Sequence, residues 1–345
     1  MFEKFRFLTS GESHGKCLTA IIEGMPAGLD IDIDFINNEL KRRQQGYGRG
    51  ERMQIEADTV EIMSGVRFGK TLGSPITLVI NNRDYENWQK IMSVNPEDYT
   101  EEKSFTTYRP GHADCAGSIK YNHKDLRNVL ERSSARSTAI EVAVGAVAKL
   151  LLKHYGINCS SKILQIGHGK TEEEMHNEID RAKSNGDTLG GKFEIVFDNV
   201  PVGLGSHVHW DRKIDGRLAQ AVMSIPAIKA VSFGDGENAA EISGKDFHDE
   251  IFLENGKIVR HTNHAGGVEG GMTNGEPIVV KAVMKPIPTM KTPLNTVDSS
   301  SMTETTAHFE RSDTCAVEAC SVVAEARIAC VLANEILLKI CSDYI

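Results

Sequence analysis

The chain has 345 residues, 40% hydrophobic and 25% charged, the balance of an ordinary globular protein with length for two domains or one large one. A net charge of −9 argues against nucleic acid or an acidic membrane surface as partner, while leaving room for a locally basic pocket that takes a small anion. No run approaches the roughly 20 apolar residues that span a bilayer, residues 1–7 lack a signal-peptide core, and seven cysteines without a Cys-x-x-Cys pair fit reduced thiols in a cytoplasm rather than a disulfide frame or zinc site.

In chain order, the first feature is Gly11-Glu12-Ser13-His14-Gly15, a histidine set among small and turn-forming residues and therefore presented rather than packed. Residues 21–29 read as a strand running into a Pro-x-Gly turn. A short helix then leads to the basic loop Arg42-Arg43-Gln44-Gln45-Gly46-Tyr47-Gly48-Arg49-Gly50-Glu51-Arg52, readable as a solvated charge run or as an anion clamp. Residues 77–80 follow as a strand. Arg109-Pro110-Gly111-His112-Ala113-Asp114 presents a second histidine beside charged groups. Two such histidines suit proton transfer on an anionic substrate.

Arg132-Ser133-Ser134-Ala135-Arg136 stands where a buried helix over 137–155 is expected to begin. Its serines read as N-caps, and the same helix start could hold phosphate. Polar helices are expected over 171–184 and 211–224, and a second buried helix over 315–342. Before that last helix, Arg311-Ser312-Asp313 offers either a helix cap or a proton acceptor. Asn263-His264-Ala265-Gly266-Gly267-Val268-Glu269-Gly270-Gly271 is either a sheet corner or backbone bare enough to approach a flat ligand. Lys285-Pro286-Ile287-Pro288-Thr289 could continue that wall. No third ligand accompanies His207 and His209, so no metal is assigned.

An internal repeat organises these elements. Residues 64–76 lie over 266–278 without gaps, and seven of 13 positions are identical: Gly65/Gly267, Val66/Val268, Gly69/Gly271, Thr71/Thr273, Gly73/Gly275, Pro75/Pro277 and Ile76/Ile278. A strand and Pro-x-Gly turn precede each copy, and an Arg-Ser pair with a long helix follows. A duplicated unit is therefore expected, with halves of about 1–156 and 157–345 in one domain.

Six of these runs, in order, identify the chain as resembling chorismate synthase along nearly its full length: residues 11–15, 46–50, 109–114, 132–136, 263–267 and 311–313. Departures are small: Ser137 stands where glutamate is frequent, Ser312 and Thr314 where histidine and proline are common, and Ala230 where glycine is. The resemblance implies an α+β fold, a β-α-β sandwich with a buried helical layer between antiparallel sheets, in a homotetramer. It implies a lyase that converts 5-enolpyruvylshikimate 3-phosphate to chorismate and phosphate by anti 1,4-elimination, needing reduced FMN with no net redox change. NADPH is a candidate reductant, since some members reduce their own flavin. The rival readings are a flavin reductase, which lacks a dinucleotide fingerprint here, and a noncatalytic phosphate-binding scaffold. The resemblance also implies roles. His112 would protonate the leaving phosphate, His14 the reduced flavin near N1, and Asp313 would relay a proton by way of flavin N5. Arg43, Arg49, Arg109 and Arg136, with Ser13 and Ser134, would bind the substrate. The FMN would rest on Arg132, Ser133, Ser134, Pro226, Ala227, Gly270, Lys285, Pro286, Ile287, Pro288, Thr289 and Arg311.

Overall fold

The computed structural model describes residues 3–50, 57–310 and 312–340. The fold is mixed α+β, with several antiparallel sheets and helices packed against them. One four-stranded sheet has the order β1 (Arg6–Ser10), β2 (Cys17–Glu23), β6 (Ile76–Asn81), β3 (Glu61–Ser64). The other has the order β7 (Asn158–Ile166), β8 (Gly191–Asp198), β14 (Ile278–Met284), β9 (Ile228–Phe233). Strand β14 alternates buried and half-buried residues along its length, as a sheet with one face on the core must. Four two-residue or four-residue pairs complete the strands: β4 (Val66–Arg67) with β5 (Lys70–Thr71), β10 (Ile251–Glu254) with β11 (Lys257–Arg260), β12 (Val268–Glu269) with β13 (Met272–Thr273), and β15 (Asn295–Asp298) with β16 (Thr303–Thr306).

The long helices are α1 (Ile33–Gln44), α2 (Asp114–Tyr121), α3 (Arg127–Ser133), α4 (Thr138–His154), α5 (Glu172–Ser184), α6 (Ile214–Met223) and α7 (Val317–Ile340). Helices α4 and α7 are the most buried, and each is apolar on several faces, as the sequence suggests. They pack on each other, with β2 and β6 against α4 and β7 and β8 against α7. Gly145 lets them touch: a Cβ there would lie 2.2 Å from the Ala326 Cβ. One continuous apolar cluster runs through both sheets and these helices. Among the described residues, no helix is long and apolar enough to cross a membrane.

Two expectations need correcting in detail. The first buried helix does not start at the Arg-Ser run. Helix α3 ends at Ser133, a 3-10 turn spans Ala135–Ser137, and α4 begins at Thr138. Ser134 caps the 3-10 turn, accepting from the Arg136 N–H at 3.3 Å. The expected helix over 315–342 begins at Val317, and Cys341 and Ser342 lie outside the described residues.

A matching lock joins each short hairpin to its preceding turn. The Thr71 hydroxyl donates to the Pro26 carbonyl at 2.6 Å and accepts from the Leu29 N–H at 2.9 Å. The Thr273 hydroxyl donates to the Pro201 carbonyl at 2.6 Å and accepts from the Leu204 N–H at 2.9 Å. Gly65 and Gly267 open the two hairpins at φ 80° and 78°, where a side chain would be strained.

Candidate active site

The loops that follow α1, α3, α5, α6 and β14 meet those that precede α2 and α7 around a cavity of about 830 Å³. That is the size of a site for a cofactor and a small substrate. His14, His112 and Asp313 all line it, as do Ser13, Ser134, Arg43, Arg49, Arg109 and Arg136. Lys183, Lys285 and Lys291 add positive charge, against the carboxylates of Asp187, Glu310 and Asp313. A basic cavity is thus set in an acidic protein.

Each histidine is held through Nδ1 by a buried carboxylate. His14 Nδ1 lies 2.8 Å from Glu131 Oε1, and the His14 backbone N–H donates to Glu131 Oε2 at 2.8 Å. Arg127 donates to the same Glu131 Oε1 at 3.2 Å. Burial pushes the Glu131 carboxyl up, but the His14 bonds and the Arg127 charge outweigh it and leave it below the usual range. His112 Nδ1 lies 2.6 Å from Asp114 Oδ1. Arg109 grips Asp114 with Nε to Oδ2 at 2.7 Å and Nη2 to Oδ1 at 3.0 Å. Burial again opposes ionisation, yet the His112 and Arg109 bonds bring Asp114 down to about 2. With Nδ1 bound to a carboxylate, Nε2 is the nitrogen His14 has left to meet a ligand, while on His112 Arg109 Nη2 lies 3.0 Å from Nδ1 and 3.4 Å from Nε2.

The arginines are fixed from below. Arg136 donates to Asn82 Oδ1 from Nε at 3.0 Å and Nη2 at 2.8 Å, and to Asp58 Oδ1 from Nη1 at 2.6 Å. Arg43 donates to the Thr138 hydroxyl at 2.9 Å and the Ala135 carbonyl at 2.8 Å. Its Nη1 faces Asp58 at 3.6 Å but has no hydrogen-bond acceptor, though it is buried. Burial and the charges of Arg136 and Arg49 bring Arg43 down to about 10, with Asp58 opposing. An unfilled donor on a buried guanidinium is what an anion would complete.

Asp313 is not the cap of α7. It accepts from the Gly50 N–H at 2.6 Å and pairs with Arg49 Nη1 at 2.8 Å, tying the glycine-rich loop to the entry of the last helix. Lys285 donates to the Gly111 carbonyl and so bridges the His112 loop to the wall after β14. Burial and the neighbouring Lys229 charge pull Lys285 below its usual range.

Of the residues expected at the cofactor, Ser133, Ser134, Pro226, Ala227, Lys285, Ile287, Pro288 and Thr289 are on the cavity wall. Arg132 is exposed in the last turn of α3 and donates to the Thr9 and Gly11 carbonyls instead. Gly270 is the tip of the β12–β13 hairpin, away from the wall, and the run from Asn263 to Gly267 turns a sheet corner, with Gly267 N–H donating to Asn263 Oδ1 at 2.7 Å. Pro286 is exposed and off the wall, and Arg311 and Arg52 lie outside the described residues. Sequence reasoning missed the partners Asp58, Asn82, Trp88 and Glu131. Only Asp114, two residues from His112, is a support that lies beside its histidine in the sequence. Among the described residues, no group of three or more His, Cys, Asp or Glu side chains could hold a metal ion.

The family model for chorismate synthase matches residues 5–337. The chain is 57% identical to the chorismate synthase of Thermoanaerobacter pseudethanolicus, over 99% of this chain and 95% of that protein. It is 52% identical to that of Aquifex aeolicus, over 98% and 94%. A crystal structure of a chorismate synthase aligns with a TM-score of 0.79 at 44% identity, covering all of this chain and 95% of the other.

Proposed function

The chain belongs to the chorismate synthase family, lyases that convert 5-enolpyruvylshikimate 3-phosphate to chorismate, and on that premise we propose how its own residues carry the reaction. The carrying observation is that His14, His112 and Asp313, distant in sequence, line one basic cavity together with four arginines.

In this reading the substrate's phosphate and carboxylates lie among Arg43, Arg49 and Arg136, with Ser13 and Ser134 beside them. Guanidinium binds such oxyanions in bidentate fashion. Arg109 also faces the cavity, but Nε and Nη2 already serve Asp114, so its share is mainly charge. His112 gives a proton from Nε2 to the departing phosphate, ordinary general-acid work. His14 holds a proton at Nε2 on the cofactor side. Asp313 takes up the proton lost by the substrate.

The cavity also fits reduced FMN, the family's cofactor. Besides its cations it has an apolar stretch in Ile225, Met284, Ile287, Ala319 and Val323, suited to a flat ring, and Arg43 Nη1 lacks an acceptor. Ser133, Ser134, Pro226, Ala227, Lys285 and Ile287 to Thr289 would hold the cofactor. When bound, reduced FMN supplies transient electron donation with no net redox change.

We also read the chain as two related halves, 1–156 and 157–345, in one β-α-β sandwich. The equivalent strand orders, the paired long helices and the twin threonine locks support this.

The test is chorismate formation followed by absorbance, anaerobically and with reduced FMN. His112→Ala is expected to lose about 10²–10⁴-fold in kcat. Near-normal turnover would remove His112 from the proposed role. NADPH oxidation without added reductant tests whether the chain also reduces its own flavin.

A further inference from the structure

We propose that Trp88 is a positioning residue for turnover: it covers one face of the His14 imidazole and fixes the plane in which Nε2 meets the cavity. The inference rests on the catalytic role proposed for His14.

A ring held only through Nδ1 to Glu131 can pivot about that hydrogen bond. The Trp88 indole removes the freedom, stacking on the imidazole with centroids 3.9 Å apart and planes 22° from parallel. The indole is itself fixed, since Nε1 donates to Asp84 Oδ2 at 3.1 Å. Arg127 and Lys103 sit 5.1 and 5.0 Å from its ring centroid. The same Arg127 guanidinium holds Glu131 at 3.2 Å and Glu310 at 2.7 Å. One support thus reaches the imidazole both at its edge, through Glu131, and at its face, through Trp88.

Core filling does not account for this tryptophan. Trp88 is only 9% exposed, yet it belongs to neither apolar cluster. Its contacts include an imidazole, two cations and a carboxylate. A buried indole among charged groups, placed flat on a proton-carrying ring, is explained by what it does to that ring. The segment bearing it, between β6 and α2, contains only 3-10 turns among its helical and strand elements.

The experiment uses the whole chain with reduced FMN and 5-enolpyruvylshikimate 3-phosphate. Trp210, the other tryptophan, is 77% exposed and outside the cavity, so W210F leaves Trp88 as the sole indole reporter. In that background H14A is expected to brighten Trp88 emission, because imidazole contact quenching is lost. W88L is expected to lower kcat about 10–100-fold, the cost of misplacing a reacting group by about 1 Å, with KM nearly unchanged. W88F is expected to restore most of the rate. Emission that ignores H14A would show that the stack is absent and overturn the proposal. Emission that responds while W88F and W88L both turn over normally would overturn it too, leaving the stack merely structural. If W88L does not fold, W88A carries the kinetic arm: a lowered kcat with KM nearly unchanged supports the proposal, and near-normal kcat overturns it. H14A kinetics separates the two levels. Full activity of H14A would sink the role given to His14, whereas an inactive H14A beside a normal W88L would sink Trp88 alone.

Discussion

At the scale of single residues, each working group is paired with a fixed support. The supports are where sequence reading fell short. His14 and His112 stand out because glycine and proline leave them nothing local to pack on. Glu131 sits in an unremarkable helix 117 positions from His14 and reaches it only through the fold. Asp114 is a sharper case, because one carboxylate serves both Arg109 and His112. Asp114→Asn keeps the shape but removes the charge and puts an NH2 donor in place of one accepting oxygen, which favours the wrong tautomer where it faces Nδ1. Its kcat should fall by orders of magnitude, toward the 10⁴-fold known for such a swap in a Ser-His-Asp site, while Asp114→Glu recovers part of it. Unchanged kcat in the asparagine variant would refute the orienting role. Arg49 is expected to act in binding. Loss of a charge-assisted contact worth about 1.5–3 kcal/mol would raise KM for the substrate roughly 10–150-fold in Arg49→Ala. Steady-state kinetics decides this.

At the scale of elements, the buried helices were legible because apolar residues cover more than one face of each. The 3-10 turn before α4 was not, since Ser134 and Ser137 serve a helix cap and a tight turn equally well. Arg132, which the resemblance places at the cofactor, belongs to the preceding helix and bonds the Thr9 carbonyl. The α4–α7 crossing makes its own prediction. Alanine at 145 would gain up to about 1 kcal/mol of helix propensity, but its Cβ would collide with Ala326 and force the helices apart. Overpacking of this kind costs about 1–3 kcal/mol, so Gly145→Ala should lower the urea midpoint. Helices α1, α4 and α7 are also joined by a buried ionic cluster, in which Lys149 bonds both Glu39 and Glu325 and Arg42 bonds both as well. Burial raises the Glu325 carboxyl, but Arg42 and Lys149 more than offset it and bring it to about 2, from 4.5. A depressed carboxylate stabilises above its unfolded value and loses that stabilisation as pH falls through the folded one. Roughly 3 kcal/mol should therefore drain away between pH 4.5 and 2. Urea unfolding across that range should show the loss, and Glu325→Gln should flatten it.

At the scale of the whole molecule, the proposed pairing of halves was visible in the glycines, because a positive φ admits few other residues and so leaves its mark on the sequence. Assembly was not, since surface complementarity has no local pattern. The outer face of the first sheet leaves Leu8 75% and Ile21 51% exposed as direct cross-strand partners. Self-association would cover them, and light scattering should return four times the chain mass if the tetramer forms, with Leu8→Glu shifting it downward. The twin hydroxyl locks at Thr71 and Thr273 bear on how the gene can vary. Valine at either site strands the same carbonyl and the same N–H, at about 1–3 kcal/mol. A saturation-mutagenesis heat map of positions 64–76 should accordingly overlay that of 266–278, column on column, so that tolerance recorded in one window forecasts the other before it is sampled.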